Sequence, residues 1–319
     1  MDTAPPILTL ADLVRRTALD PRAVKRLVRS GELERIRRGT FVWASDLGTP
    51  EGTTPAVAAH RRLLHATAPL LGEGSVVSHA SAAILHGLPV ESGLLERVWS
   101  IRVDSHGNRT SVLTASNARM PDEDTVVVDG VRVTSLARTL VDLMRTRPFD
   151  WGVATSDAAM RRGVEQEAVL AVLERARGVP GIRRARAAWS FADPRSESVG
   201  ESRSRALLHL EGVPVPDLQR EIHRDGRLVA RTDFAWDEDS TVGEFDGAMK
   251  YGTLVPTGRR PEDLVMAEKA REQEIRDAGW WIVRWGWADL SRPRTLGVRV
   301  LRALDIGRRR RRPAWPDRH

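Results

Sequence analysis

The sequence predicts the α+β fold class, with several domains in one chain. The chain has 319 residues, of which 41% are hydrophobic, and this is enough for two or three domains that each bury a core. Segments of helical periodicity stand beside short runs that resemble strands, bounded by Gly and Asp. A polar break at residues 192–200 separates two of the domains. We therefore expect domains at residues 1–45, 46–191 and 197–306, followed by a basic, disordered tail at 307–319.

The composition excludes several classes of protein. The absence of cysteine rules out disulfide scaffolds, thiol catalysis and cysteine-ligated zinc. The N-terminus carries an acid where a secretory signal needs positive charge, and no apolar run approaches the ~18 to 20 residues of a membrane span. No segment matches the phosphate loop G-x-x-x-x-G-K-[ST]. We expect a cytoplasmic protein that contacts no membrane and uses no nucleotide cofactor.

The net charge of +7 is concentrated at the two ends of the chain. Residues 1–45 carry a net charge of +4 and residues 299–319 carry +6, whereas the remaining residues carry −3. Such a distribution is typical of a chain whose ends contact a polyanion. Lys25, Lys250 and Lys269 are the only lysines, so arginine supplies nearly all of this charge.

The first 45 residues predict two helices followed by a two-stranded wing. Thr9 can cap a short first helix, Asp20 can cap a second one that starts with Pro21, and Gly31 ends it. A hairpin turn at residues 37–40 then joins two short apolar runs. This pattern indicates a winged helix-turn-helix, in which a helix enters the major groove of DNA and the wing follows phosphates. We expect double-stranded DNA to contact the basic side chains of the second helix and the wing: Arg22, Lys25, Arg26, Arg29, Arg35, Arg37 and Arg38.

The alternative for this basic face is the charged outer surface that any amphipathic helix has. Against it, Asp20 is the only acid between Arg15 and Arg29. The segment also resembles the N-terminal domain of AbiEi-type antitoxins, over residues 5–45 and more loosely over residues 78–89. That resemblance implies a DNA-binding regulator of a toxin–antitoxin pair, with a cognate toxin protein as a further partner.

The middle segment, residues 46–191, predicts a mixed α/β domain without a catalytic constellation. Helical patterns occupy residues 55–71, 78–86, 135–144, 150–177 and 182–191, and strand patterns occupy residues 98–103 and 125–133. The histidines lack the spacing of a helical zinc motif. We therefore expect core or capping roles for His60, His65, His79 and His86.

From residue 197 onward the sequence predicts a helix, three strands, a helix, a strand and a helix. Asp225-Gly226 is a strong hairpin signal between the first two strands. If residues 237–240 form a four-residue loop, Trp236 pairs with Thr241, and Asp233 stands opposite Glu244. Asp246 then lies one step along the same face.

Carboxylates at that separation repel one another by roughly 1 kcal/mol at 4 Å in water, and by several times more in a drier site. A hard divalent cation, Mg²⁺ or Mn²⁺, would neutralise such a cluster of oxygen ligands. Lys250 lies four residues after Asp246, and a lysine beside acids offers a compact charge on a flexible stem. The alternative is that the acids are exposed charges on an edge strand.

The segment 197–305 resembles the PD-(D/E)XK nuclease superfamily, in the branch similar to very-short-patch-repair endonucleases. The motifs are a helical Glu, an Asp that ends Arg-Thr-Asp-Phe, and Glu-Phe-Asp-Gly on the next strand. The resemblance implies an α/β/α domain of restriction-endonuclease type that hydrolyses phosphodiesters. The metal ligands would be Asp233 and Glu244, with Asp246 beside them, and the full catalytic set would be Glu201, Asp233, Glu244, Asp246 and Lys250. One departure is that Asp246 occupies the usual place of the superfamily's lysine.

Three hypotheses of function follow from the sequence. The first is a DNA-binding protein whose C-terminal domain is a metal-dependent endonuclease of defence or repair. The second is a non-enzymatic antitoxin that represses its own promoter and carries a degenerate nuclease domain. The third is a module that binds and neutralises a toxin protein.

Overall fold

The computed structural model describes residues 7–17, 20–102, 108–247 and 261–311. The described α-helices are α1 (Leu10–Thr17), α2 (Pro21–Ser30), α3 (Pro55–Thr67), α4 (His79–Leu85), α5 (Leu136–Thr146), α6 (Phe149–Arg161), α7 (Gln166–Arg175), α8 (Ile182–Phe191), α9 (Val199–Leu210), α10 (Pro261–Asp277), α11 (Trp287–Leu290) and α12 (Pro293–Arg311). The described strands are β1 (Leu8–Thr9), β2 (Leu33–Arg37), β3 (Thr40–Trp43), β4 (Val76–Val77), β5 (Val98–Ile101), β6 (Asn108–Arg109), β7 (Leu113–Ser116), β8 (Thr125–Val128), β9 (Val131–Thr134), β10 (Asp217–Arg224), β11 (Arg227–Trp236), β12 (Thr241–Asp246) and β13 (Trp281–Gly286).

The chain divides into two compact units that are not contiguous in sequence. The first unit contains residues 1–146 and 164–182, and the second contains residues 147–163 and 183–319. The predicted middle domain, 46–191, is therefore shared between them. The reason is packing, because α6 lies against α9 and so belongs with the C-terminal elements.

The first unit begins with the predicted helix-turn-helix and wing. The Asp20 side chain accepts a hydrogen bond of 2.6 Å from the Ala23 amide and caps α2, and Gly31 ends this helix with φ of 80°. The strands pair in the order β1-β3-β2. The sequence did not predict β1, which pairs with the wing through Leu8 and Phe41. A small core of buried side chains holds these elements together: Leu8, Leu13, Val24, Leu33 and Phe41.

The rest of the first unit is a six-stranded mixed sheet, in the order β6-β7-β5-β4-β9-β8, with helices packed on it. Ser135 accepts the Arg138 amide and so caps α5, as predicted. His60 is buried, with its ring nitrogens 2.8 Å from the Leu95 carbonyl and 2.9 Å from Ser81 Oγ. Burial lowers the pKa of His60. This histidine therefore has the core role that its spacing predicted.

The second unit contains a four-stranded sheet in the order β10-β11-β12-β13, in which β13 runs parallel to β12 and the other pairs are antiparallel. One face packs against α9 and α12 through Phe234, Trp236 and Trp285. The other face packs against α10, with Val242 and Ile275 in its core. The predicted order of helix, three strands, helix, strand and helix is found, with the short α11 before the last helix.

The first part of the basic C-terminal tail, residues 307–311, differs from its prediction, and residues 312–319 lie outside the described residues. Helix α12 continues to Arg311, so residues 307–311 are helical rather than disordered. Gly307 makes this possible, because a side chain there would collide with the Asp239 carbonyl and Thr241 Oγ1. Arg308 Nε then donates to Asp239 Oδ1 at 2.6 Å. A close approach at one glycine and one ion pair thus anchor the end of the helix.

Candidate nucleic-acid interface and acidic cluster

The basic face of α2 is exposed as the sequence predicted. Arg22, Lys25, Arg26 and Arg29 are each at least partly exposed, whereas Val24 on the opposite side is buried in the small core. Across the residues that the structure describes, none of these four side chains forms an ion pair with a carboxylate. Arg15 on α1, by contrast, is paired with Asp12 at 2.6 Å. The cations of α2 are therefore available to an external polyanion.

The three wing arginines have different environments. Arg35 and Arg38 are solvent-accessible, and Arg37 is half-buried. Arg37 Nε donates to Thr40 Oγ1 at 3.2 Å, and Arg35 Nε donates to the Arg37 carbonyl at 3.4 Å. Arg37 therefore helps to hold the hairpin, while Arg38 is exposed in the turn between β2 and β3.

The predicted register between β11 and β12 is confirmed. Trp236 pairs with Thr241, and Phe234 pairs with Gly243. Continuing the same register places Asp233 opposite Glu244. Asp233 Oδ2 also accepts a hydrogen bond of 2.8 Å from the Phe245 amide, which fixes this carboxylate against β12.

Glu201 approaches the same place from the first turn of α9. Ser198 caps this helix by accepting the Glu201 amide at 3.1 Å. The Glu201 carboxylate is buried, and its Oε2 accepts from the Glu197 amide at 2.8 Å and from Gln219 Nε2 at 2.9 Å. Two neutral donors thus hold this carboxylate in place.

The pKa of Asp233 is raised to about 6. Burial is the main cause and the negative charges of Glu201 and Glu244 add to it, while the Phe245 amide and Arg271 act in the opposite direction. The register of β11 and β12 places Asp233 beside Glu244, as the strand parity predicted. Asp246, the third acid of that prediction, is exposed, whereas Glu201, which only the resemblance assigned to this site, acts on the pKa of Asp233.

Glu244 is neutralised by two arginines that the sequence reasoning missed. Arg271 of α10 donates from Nη2 to its Oε1, and Arg284 of β13 donates from Nε to its Oε2 at 2.9 Å. Arg284 also bonds Glu272 at 3.0 Å and contacts Glu268. A signal for Arg284 was present, because it shares strand parity with Ile282, which packs on the α10 face.

The described side chains do not fit a divalent cation as they are arranged. Both oxygens of Glu244 face guanidinium groups, and Asp246 is exposed. Within the described ranges, no group of three His, Asp or Glu residues could hold a metal ion. Lys250 lies outside the described residues. The two guanidinium groups neutralise Glu244 as the side chains are arranged here, and the Mg²⁺ or Mn²⁺ site stays a prediction.

No helix in the described ranges combines the length and the apolar character needed to cross a membrane.

Comparison with known proteins gives a family match at the N-terminus. Residues 4–42 match the family described as "Transcriptional regulator, AbiEi antitoxin". This confirms the predicted resemblance for the winged helix, whereas the resemblance to nucleases stays a prediction.

Two proteins of Mycobacterium tuberculosis, from strains CDC 1551 / Oshkosh and ATCC 25618 / H37Rv, are each 34% identical to the chain over 184 residues. The match covers 57% of this chain and 65% of each relative, a little under two thirds of their length. Both relatives carry the name "Uncharacterized protein".

Proposed function

We propose that this chain is a DNA-binding transcriptional regulator of the antitoxin type, which reads duplex DNA with α2 and the wing. The observation that carries the proposal is the row of accessible cations on α2 that no described carboxylate neutralises. Lys and Arg side chains supply most of the affinity of proteins for DNA by displacing counterions from phosphates. The family match over residues 4–42 supports the same conclusion.

The spacing of the α2 cations suits the major groove. Arg22, Lys25, Arg26 and Arg29 follow the i, i+3, i+4, i+7 pattern of one helical face. At 1.5 Å per residue this row is about 10 Å long, and the major groove is about 12 Å wide. Arg22, near the N-terminus of the helix, is suited to base edges, and Lys25, Arg26 and the wing residue Arg38 are suited to phosphates.

Affinity measurements with charge variants test this proposal. Fluorescence anisotropy would compare a duplex from upstream of the chain's own coding sequence with a random duplex of equal length. We expect Arg22→Ala and Arg26→Ala each to weaken binding several-fold, because each removes a contact to DNA. Arg15→Ala is the matched control, since its guanidinium is paired with Asp12. Equal losses in all three variants would contradict the proposal.

An antitoxin also implies a cognate toxin protein as partner, and repression of the shared promoter. A reporter fused to that promoter should be repressed by the wild-type chain and released by Arg26→Ala. Repression by the variant equal to that by the wild type would exclude α2 as the reader.

Phosphodiester hydrolysis by the second unit is the second candidate function. It is favoured by the approach of Glu201, Asp233 and Glu244 to one another, and by the resemblance of residues 197–305 to the nuclease superfamily. We rank hydrolysis second because both carboxylate oxygens of Glu244 are paired with arginines. Supercoiled plasmid incubated with Mg²⁺ or Mn²⁺ tests it: cleavage by the wild type that Asp233→Asn abolishes would establish hydrolysis, whereas the arginine pairing predicts no cleavage.

A further inference from the structure

A cavity of about 850 Å³ lies in the first unit, in the same compact unit as the winged helix. It is bounded by α5, α7 and residues near β5 and β7. Most of its lining is apolar, with Ile101, Val141, Val172 and Val179 among the contributors. Cavities of roughly 300 to 1,000 Å³ with apolar walls and a few convergent polar groups are the usual form of small-molecule sites.

The polar part of the lining is a buried ion network. Asp124 and Asp142 are each only 2% exposed. Arg138 bridges them, at 3.0 Å to Asp124 and 2.8 Å to Asp142. Arg145 Nη1 bonds Asp142 at 3.0 Å, and Arg175 Nη2 bonds Asp124. Three guanidinium groups thus converge on two carboxylates in a site with apolar walls.

The lining as a whole carries more positive than negative charge. Four arginines face three acids there, since Arg119 and Glu123 join the buried network at the rim. Among the described contacts, Arg119 forms no ion pair and Arg175 uses a single nitrogen. Guanidinium groups with spare N–H donors beside an apolar wall are suited to a carboxylate or another oxyanion.

We propose that this cavity binds a small organic anion, with its acidic group on Arg119 and Arg175 and its apolar body against Val172 and Val179. The charge of the lining selects for an anion, and the apolar walls select for a hydrophobic body. A regulatory effect of such an anion on DNA binding rests on the proposed function, but the binding itself does not. By thermodynamic linkage, an anion that prefers the DNA-bound form would strengthen DNA binding by the same factor.

A pair of fluorescent dyes separates charge from hydrophobicity. Anilinonaphthalene sulfonate is an aromatic anion, and phenylnaphthylamine has the same ring system without the charge. We expect the anionic dye to bind at one saturable site and the neutral dye to bind about tenfold more weakly. The reason is that hydrogen bonds from a guanidinium group to an anionic oxygen are stronger than hydrogen bonds between neutral groups. Equal affinity for the two dyes would overturn the proposal.

Arginine variants test which guanidinium groups bind the acidic group of the dye. Arg175→Gln leaves Asp124 paired with Arg138, and we expect it to weaken the anionic dye about tenfold without affecting the neutral one. Arg119→Gln should act in the same direction at the rim. The matched control is Arg177→Gln, because Arg177 is 75% exposed and is paired with Glu174 outside the cavity. Unchanged binding in both Arg175→Gln and Arg119→Gln would overturn the assignment of the charged groups.

A variant with a larger side chain in the cavity tests whether the dyes bind there. Val179→Trp should abolish saturable binding of both dyes, whereas Val127→Trp, at a 71% exposed position of β8 outside the cavity, should not. A cooperative thermal transition must be retained in each variant. Retained binding in Val179→Trp would place the dye elsewhere and overturn the proposal. If the protein bound both dyes with equal affinity and still bound DNA, the anion site would be refuted and the proposed function would not be affected.

Discussion

Replacing Asp233 by asparagine should stabilise the protein at neutral pH. The pKa of Asp233 is raised from 3.8 to about 6, first by burial and then by the charges of Glu201 and Glu244. A raised carboxyl pKa means that the folded state holds the proton more tightly than the unfolded state does. Stability therefore falls as the pH rises from about 4 to about 6, and it stays lower above that range. A shift of about two units corresponds to about 3 kcal/mol, which is an upper value for this site.

The asparagine side chain would carry no charge and would keep an oxygen that accepts the Phe245 amide. We therefore expect Asp233→Asn to raise the free energy of unfolding by up to about 3 kcal/mol near pH 7.5, and by almost nothing near pH 4. Urea denaturation followed by tryptophan fluorescence at the two pH values measures this difference.

The matched control for this experiment is Asp305→Asn. Asp305 is half exposed and is paired with Arg309 one helical turn away, so its loss should cost less than about 1 kcal/mol at either pH. A neutral-pH stability of Asp233→Asn equal to or below that of the wild type would refute the reasoning. It would mean that Asp233 is not crowded by other carboxylates and that the acidic cluster does not form.

Two further substitutions test the packing of the second unit. Gly200→Ala should lower the free energy of unfolding by about 1 to 3 kcal/mol in urea denaturation, because the added methyl would overlap the Phe245 ring. Unchanged stability would show that α9 and β12 lie further apart than the structure has them. Arg205→Met should cost about 3 to 5 kcal/mol, because it removes the guanidinium group that pairs with the fully buried Asp157 carboxylate. Arg195→Met is the exposed control and should cost less than about 1 kcal/mol; equal losses in the two would contradict the burial argument.

Local chemistry explains which parts of the fold the sequence predicted. Asp20, Pro21 and Gly31 mark the two ends of α2 by capping and by a left-handed residue, which are properties of a few neighbouring positions. The loop at residues 237–240 fixes the register of β11 and β12 because a hairpin connection leaves no freedom to slip. The approach of Asp233 to Glu244 follows from that register alone.

The features that the sequence did not predict depend on contacts between distant residues. Arg271 and Arg284 reach Glu244 from 27 and 40 residues further along the chain, and only the pairing of β13 with β12 and the docking of α10 place them there. Strand β1 has two residues and exists because β3 offers it an edge. Strand parity could place Arg284 on the α10 face of its strand, but periodicity contains no information about which strand lies beside β12, so the partners of Glu244 were not predicted.

The dependence of DNA affinity on salt tests the central claim most directly. Binding of the chain to duplex DNA would be titrated at several salt concentrations for the wild type and for the double variant Lys25→Ala/Arg26→Ala. Each phosphate contact contributes about 0.9 to the slope of log K against log salt. Loss of two contacts therefore predicts a slope smaller by about two, with several-fold weaker binding. An unchanged slope and affinity would contradict the account, because the cations of α2 would then not contact DNA.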